Sequence, residues 1–273
     1  MKDINAHNRL IDWIDQLASK GKTSFSIEEL RAAFPENSEI SLNRSINRLL
    51  KKNKIISISN GYYLIISSQY ASRGILPPTI FLDGLMKYYK RPYYLALLNA
   101  AVFHGASHQQ PQEFFVVTEF PQMRVTNKKG IKISYISRKT VPEQYTENRK
   151  TETGYIKISS PILTATDLIQ FQKRVGGLSR VATVLEELAD EIKLESITEE
   201  FVKEIPLVTL QRLGYILDKI LNKDTIAEKL YNTCLQAELK FNRKPLSESG
   251  EKKGFPFDEK WKVIINTEVE SDI

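Results

Sequence analysis

The sequence predicts an α+β protein in which a small, mostly helical N-terminal part precedes a larger mixed α/β body with a small sheet and several helices. Short amphipathic helices and two β-rich runs fill the first 66 residues, and a stretch rich in Ser, Gly and Pro follows. The chain of 273 residues has room for two domains of ordinary size. We therefore expect domains at residues 1–68 and 79–273, joined by a linker at 69–78.

The composition is that of a globular protein, with 41% hydrophobic and 26% charged residues. A formal net charge of +6 suggests an anionic partner such as nucleic acid. Cys234 is the only cysteine, which argues against disulfides and fits a reducing compartment. The charged N-terminus does not resemble a signal peptide, and no run reaches the roughly 18 apolar residues of a membrane span. We expect a cytoplasmic protein that binds no membrane, metal or cofactor.

The N-terminal part has the element order of a winged helix-turn-helix. We predict helices at 5–20, 26–34 and 38–53, a short strand at 22–25, and hairpin strands at 55–59 and 62–66. Ser26 and Glu29 have the spacing of a capping box, which begins the second helix, and Pro35 ends it. The hairpin centres on Asn60-Gly61, a pair typical of type I′ turns, in which both central residues have positive φ.

The third helix is basic and carries no acidic residue between Ile40 and Asn53. Its apolar residues recur on one face, and the opposite face is predicted to carry Ser41, Arg44, Ser45, Arg48 and Lys52. Arginine can read guanine and asparagine can read adenine in the major groove, while lysines hold the phosphate backbone. The predicted DNA-binding residues are Ser41, Asn43, Arg44, Asn47, Arg48, Lys51, Lys52, Lys54 and Asn60. A solvated helix face, or a winged helix that binds protein, is the alternative.

The body is predicted to combine a small sheet with a series of helices. We expect two helices within 79–105, separated near Pro92, strands at 113–120, 131–137 and 155–161, and a closing strand at 261–269. Apolar stripes predict five helices at 164–171, 176–192, 196–205, 207–222 and 225–239. The polar segments 144–154 and 241–257 are predicted to be exposed loops.

Catalytic motifs are not apparent, so we do not expect an enzyme. His104 and His108 lack the glutamate of a zinc-protease helix, and no nucleotide-binding glycine loop or nucleophile elbow occurs. A nuclease would need a carboxylate–lysine pattern that does not follow Glu113 and Glu119. The acidic run at 186–195 is interpreted as a solvated helix face, although a basic partner could dock there.

Three blocks of the body resemble the AbiEi family of antitoxins. They are RPYYLALLNAAVFHGASHQQPQEFFVVT (91–118), VGGLSRVATVLEELAD (175–190) and LVTLQRLGYILDKIL (207–221), and the segment WKVIINTEV (261–269) resembles the closing strand of that family. The resemblance implies an antitoxin of a two-gene toxin–antitoxin system of phage defence. Such an antitoxin represses its own operon by binding inverted repeats.

The same resemblance implies a partner toxin, AbiEii, which is nucleotidyltransferase-like, and associates its neutralisation with the body. It leaves open whether the toxin is bound directly or modified. Two other hypotheses remain: a stand-alone winged-helix regulator with a ligand-sensing body, and a DNA-processing nuclease. A neighbouring gene that encodes a nucleotidyltransferase would argue against the regulator, and metal-dependent cleavage of plasmid DNA would favour the nuclease.

Overall fold

The computed structural model of the chain describes residues 2–67, 70, 76–107, 111–249, 251 and 253–270, with side chains from residue 9 onward. These residues form a mixed α+β fold with several helices and sheets, as predicted. By backbone contacts the chain divides into two compact units. The first comprises Met1–Tyr94, Gln112–Val141 and Asn148–Lys157, and the second comprises Leu95–Pro111, Pro142–Glu147 and Ile158–Ile273. The domain bounds 1–68 and 79–273 stay a prediction, and most of the predicted linker at 69–78 lies outside the described residues.

The first unit begins with three helices and a three-stranded sheet. They are α1 (Lys2–Ser19), β1 (Ser24–Ser26), α2 (Ile27–Ala33), α3 (Glu39–Lys51), β2 (Ile55–Ser59) and β3 (Tyr62–Ile65). The strands pair antiparallel in the order β1-β3-β2. The predicted capping box is present, because Ser26 Oγ accepts from the Glu29 amide at 3.1 Å and Glu29 Oε2 accepts from the Ser26 amide at 2.9 Å. Local sequence chemistry therefore sets where α2 begins.

A single apolar core joins these helices to the sheet. It contains Leu10, Ile14, Phe25, Leu30, Phe34, Leu42, Ile46, Leu49, Ile55 and Ile65. Burying one such side chain stabilises a fold by about 1.5–3 kcal/mol, so the core fixes how each helix is turned. Ser45 is only 3% exposed. The prediction that Ser45 lies on the solvent face is therefore wrong, because it occupies the same side of α3 as Leu42 and Leu49.

The β2–β3 hairpin forms at Asn60-Gly61 as predicted, but its turn is different. Gly61 has φ of +73°, whereas Asn60 is not among the described residues with positive φ. The pairing shifts register between Ser57 and Ser59, where an irregularity interrupts β2. The turn is therefore not of type I′, in which both central residues have positive φ.

A six-stranded sheet forms from the middle of the chain in the order β6-β7-β5-β4-β9-β8. After helix α4 (Leu82–Tyr88), its strands are β4 (Tyr93–Leu95), β5 (Phe114–Glu119), β6 (Thr126–Lys128), β7 (Ile131–Arg138), β8 (Thr146–Thr151) and β9 (Gly154–Ser159). β5 pairs parallel to β7, and β6 pairs antiparallel to it. Two predictions are wrong here. The helix expected after Pro92 begins as β4, and segment 144–154, expected to be a loop, contains β8, a polar edge strand.

The second unit is mostly helical. Its helices are α5 (Leu97–Phe103), α6 (Pro161–Gln170), α7 (Leu178–Leu188), α8 (Glu199–Glu204), α9 (Leu207–Tyr215) and α10 (Asp224–Gln236), and a π-helical segment Ile216–Ile220 continues α9. Five short 3₁₀ segments also occur in the described residues of the chain: Pro78–Ile80, Glu143–Tyr145, Gln172–Arg174, Ala189–Glu191 and Leu194–Ser196. None of the described helices is long and apolar enough to cross a membrane.

The chain ends in three two-residue strands, β10 (Lys244–Pro245), β11 (Phe257–Asp258) and β12 (Val263–Ile264). The closing strand predicted at 261–269 is therefore much shorter than expected, and β10 lies inside the predicted loop at 241–257. Lys262 has φ of +53°, a left-handed conformation that no strand can continue through.

Residues of α9 hold this C-terminal segment. Gln211 Nε2 donates to the carbonyl oxygens of Asn242 and Trp261 at 2.8 and 2.7 Å, and Arg212 donates to the Pro245 carbonyl through Nε and Nη2 at 3.1 and 2.9 Å. The fully buried Trp261 packs on Gly214, where a Cβ would lie 2.0 Å from Trp261 Cζ3. The Leu-Gln-Arg-Leu-Gly motif of residues 210–214 thus has a structural role.

Asp218 completes the attachment from the π-helical segment. Its Oδ2 accepts from Trp261 Nε1 at 2.9 Å and lies 2.8 Å from Lys260 Nζ. Burial alone would raise the pKa of Asp218, but hydrogen bonds from Lys260, Trp261 and Lys219 outweigh it and lower the pKa to about 2. Asp218 is therefore ionised at neutral pH, and its charge is matched by the lysines beside it.

Replacing Gly214 with alanine should destabilise the protein although alanine is the better helix former. The methyl group would overlap the Trp261 ring, and overpacking costs about 1–3 kcal/mol, which exceeds the roughly 1 kcal/mol gained in helix propensity. Chemical denaturation followed by circular dichroism measures the loss. In a Trp261→Leu background the ring is absent, so Gly214→Ala should be neutral or stabilising. An equal loss in both backgrounds would contradict the proposed clash.

Candidate nucleic-acid interface

Helix α3 presents its polar side chains to solvent on the face opposite the core. Asn43, Arg44, Asn47 and Arg48 are exposed, and Ser41 is half-buried. The two Asn-Arg pairs are four residues apart, so they lie one turn above the other. The opposite side of the helix, which faces the core, carries the buried residues Leu42, Ser45, Ile46 and Leu49. The structure therefore brings the predicted base-reading groups together on one surface.

The start of α3 is held by short-range polar contacts. The side chain of the N-cap residue Ser38 accepts a hydrogen bond from the Ser41 amide at 3.3 Å. Arg31 of α2 forms an ion pair with Glu39 at 2.8 Å, and because both side chains are exposed the pair adds little stability. The capping bond orients Ser41 at the first turn, next to Asn43 and Arg44.

Three lysines lie at the end of α3 and in the tight turn that follows it. Asn53 has φ of +50°, and the Lys54 amide donates to the Leu49 carbonyl at 3.0 Å, which closes the helix. Lys51, Lys52 and Lys54 are all exposed at this end. Lysines at a helix C-terminus also interact favourably with the helix dipole. The predicted phosphate-binding group is therefore continuous with the two Asn-Arg pairs.

A second basic turn lies beside Asn53 within the same unit. Lys129 and Gly130, with φ of +45° and +79°, form the turn between β6 and β7, and Lys129 Nζ donates to Asn53 Oδ1. Lys128 and Lys129 are exposed. This contact was not predicted from the sequence, because it depends on the pairing of β6 with β7.

The tip of the β2–β3 hairpin is packed against the protein. Asn60 is exposed, but its carbonyl accepts from the Tyr88 hydroxyl at 2.9 Å, and the Gly61 carbonyl accepts from the Ile27 amide at 2.7 Å. A Cβ at Gly61 would lie 2.6 Å from Tyr88 Oη, so only glycine fits this close approach. The Asn60 side chain is therefore the part of the tip that faces solvent.

The structure gives no support for a metal centre in its described part. No group of three or more His, Cys, Asp or Glu side chains that could hold a metal ion occurs among those residues. His104 is buried at the end of α5, and its Nε2 lies 2.7 Å from the Ser159 carbonyl oxygen. His104 therefore packs at a helix end. His108 lies outside the described residues.

Comparisons with known proteins identify part of the chain. Residues 94–219 match the family model of the AbiEi antitoxin C-terminal domain. The fold is similar to the crystal structure of the RV2827C protein from Mycobacterium tuberculosis, with a TM-score of 0.68 and 13% sequence identity over 92% of this chain and 89% of that chain. At that identity the similarity shows the fold alone. No curated protein sequence matches the chain.

If this surface binds DNA, removing the lysines of the β6–β7 turn should weaken binding in a salt-dependent manner. Each phosphate contact contributes about 0.9 to the slope of log affinity against log salt concentration, so Lys128→Ala with Lys129→Ala should reduce the slope by roughly 1–2. Fluorescence anisotropy with promoter DNA over a salt series measures it. A variant with Lys139→Ala and Lys193→Ala, which loses the same charge elsewhere, should keep the original slope. Equal slopes for both variants would exclude the turn from the interface.

Proposed function

We propose that this chain, which belongs to the AbiEi antitoxin family by its residues 94–219, is the antitoxin and autorepressor of a bicistronic toxin–antitoxin operon of phage defence. In this proposal the N-terminal helices and sheet bind operator DNA, and the domain that contains the family match counters the toxin. The observation that carries the DNA-binding part is the exposed Asn-Arg face of α3, set on a buried apolar stripe.

The element order supports a winged helix-turn-helix. Helix α1, strand β1, helices α2 and α3, and the β2–β3 hairpin follow one another in the order of that module. In such modules the second helix of the pair enters the major groove and contacts base edges. We infer that α3 is this recognition helix and that Asn43, Arg44, Asn47 and Arg48 read bases. Lys51, Lys52 and Lys54 then contact phosphates, and Ser41 and Asn60 contribute at the edges of the interface.

Autorepression and the toxin partner rest on the family resemblance. We propose that the protein binds inverted repeats upstream of its own operon in the cytoplasm. Its toxin is a nucleotidyltransferase-like AbiEii protein, which the domain at residues 79–273 neutralises. Because the recognition helix and this domain occupy different segments of the chain, repression and neutralisation should be separable by mutation.

Replacing Arg44 and Arg48 with alanine should abolish operator binding and leave toxin neutralisation intact. Each bidentate arginine contact contributes about 1–3 kcal/mol of base discrimination, so loss of both should lower specific affinity at least tenfold. An electrophoretic mobility shift with the native promoter at physiological salt measures DNA binding. Growth of cells that co-express the neighbouring gene measures neutralisation.

A charge-matched control is available in the second unit. Arg174 and Arg180 are exposed, so replacing both with alanine removes the same charge without touching α3. This control should bind the promoter like the unmodified chain. If the Arg44, Arg48 variant still shifts the promoter as the control does, α3 is not the recognition helix. If it fails to rescue growth although it is folded, the two activities are not separable.

A further inference from the structure

A cleft of about 800 Å³ lies within the first unit. Residues from three segments that are distant in sequence, 20–29, 79–88 and 148–157, form its walls together with Tyr62 of β3. This volume falls in the range of sites that bind small molecules. The cleft belongs neither to the α3 surface nor to the attachment of the C-terminal segment, so neither role explains it.

The walls of the cleft are fixed to one another by hydrogen bonds. The Ile80 carbonyl accepts from Thr23 Oγ1 at 3.0 Å and from Thr153 Oγ1 at 2.8 Å, so one oxygen ties the three segments together. On another side, a Cβ at Gly84 would lie 2.5 Å from Tyr62 Oη, which shows how closely α4 approaches β3. A ligand would therefore enter a preformed site and would not have to order it.

The charge of the cleft is positive. Among the described lining residues are four lysines, Lys20, Lys22, Lys87 and Lys157, and two carboxylates, Glu29 and Asp83. The carboxylates are already engaged, because Glu29 lies 3.0 Å from Lys22 Nζ and Asp83 lies 2.6 Å from Lys87 Nζ. Among the described lining residues, lysines outnumber carboxylates four to two. This excess favours an anionic ligand, and lysine is a common point-charge partner of phosphate.

Two hydroxyl groups in the wall of the cleft provide a hydrogen-bond donor for a ligand. Ser24 Oγ and Tyr62 Oη lie 2.7 Å apart and share one hydrogen bond, in which only one of the two hydroxyls donates. The accepting hydroxyl keeps its own proton, and both residues line the cleft. An oxygen atom of a ligand could accept that proton. The cleft therefore offers a neutral donor together with its lysines.

We propose that this cleft binds a small phosphate-bearing molecule. The lysines supply the charge, the Ser24–Tyr62 pair supplies a hydroxyl donor, and the hydrogen bonds to Ile80 hold the site open before the ligand arrives. A nucleotide is a suitable probe because two tyrosines, Tyr88 and the 64% exposed Tyr155, also line the cleft. The site goes beyond the proposed function, since neither operator binding nor antitoxin activity requires it.

Isothermal titration of the full chain with AMP, pyrophosphate and adenosine tests the proposal. AMP or pyrophosphate should bind with one-to-one stoichiometry, and adenosine, which lacks phosphate, should bind at least about tenfold more weakly than AMP. Charge reversal by Lys20→Glu with Lys157→Glu should reduce the affinity for the phosphate-bearing probe at least about tenfold. Circular dichroism verifies that this variant is folded.

Two control variants test whether the phosphate-bearing probe binds at the cleft. A variant with Lys139→Glu and Lys193→Glu carries the same charge change outside the cleft and should retain the affinity. The variant with Arg44→Ala and Arg48→Ala should retain it too, so failure at the cleft is distinguishable from failure of operator binding. The proposal is overturned if neither phosphate probe binds, if adenosine binds as tightly as AMP, or if the cleft variant binds as well as the Lys139, Lys193 control.

Discussion

The rotation of α3 about its own axis is the constraint on which the candidate interface depends. Leu42, Ile46 and Leu49 are each at most 4% exposed and pack in one core with residues of α1, α2 and the sheet. Turning the helix by one residue would expose these side chains and move an asparagine or arginine into the core. Losing one buried leucine or isoleucine from a core costs about 2–5 kcal/mol, so that alternative is excluded. The exposed Asn-Arg face is a consequence of this packing.

The basic surface extends beyond α3. The turn that follows α3 contains Asn53, whose side chain accepts from Lys129 of the β6–β7 turn. The match to the antitoxin family begins at residue 94, yet β5, β6 and β7 belong to the same compact unit as α3. Segments of the family region and of the N-terminal region therefore share one basic surface.

Local chemistry made several features predictable. The capping box of Ser26 and Glu29, the amphipathic helices and the Asn60-Gly61 hairpin depend on residues close in sequence, and each was found where expected. The wrong predictions depend on tertiary pairing. Ser45 is polar but sits on the buried side of α3, and the polar residues of β8 form a strand because β9 pairs with them. No local pattern distinguishes these cases from a solvated helix face or a loop.

Some residues of the candidate interface could be predicted from the sequence and others could not. The basic residues of α3 could be recognised from periodicity and charge, whereas Lys129 could not be placed beside them without the β6–β7 pairing. The cleft was also beyond sequence reasoning, since its lysines come from three distant segments and its carboxylates are neutralised within it. Only the fold brings residues from such distant segments together.

Lysine acetylation footprinting, read by mass spectrometry with and without the native promoter DNA, tests most directly whether the α3 surface is the interface. Bound DNA should protect Lys51, Lys52, Lys54 and Lys129, and should leave the exposed Lys193 and Lys203 as reactive as in the free protein. Unchanged reactivity of the α3 lysines in a sample that is fully bound to the promoter would contradict this prediction.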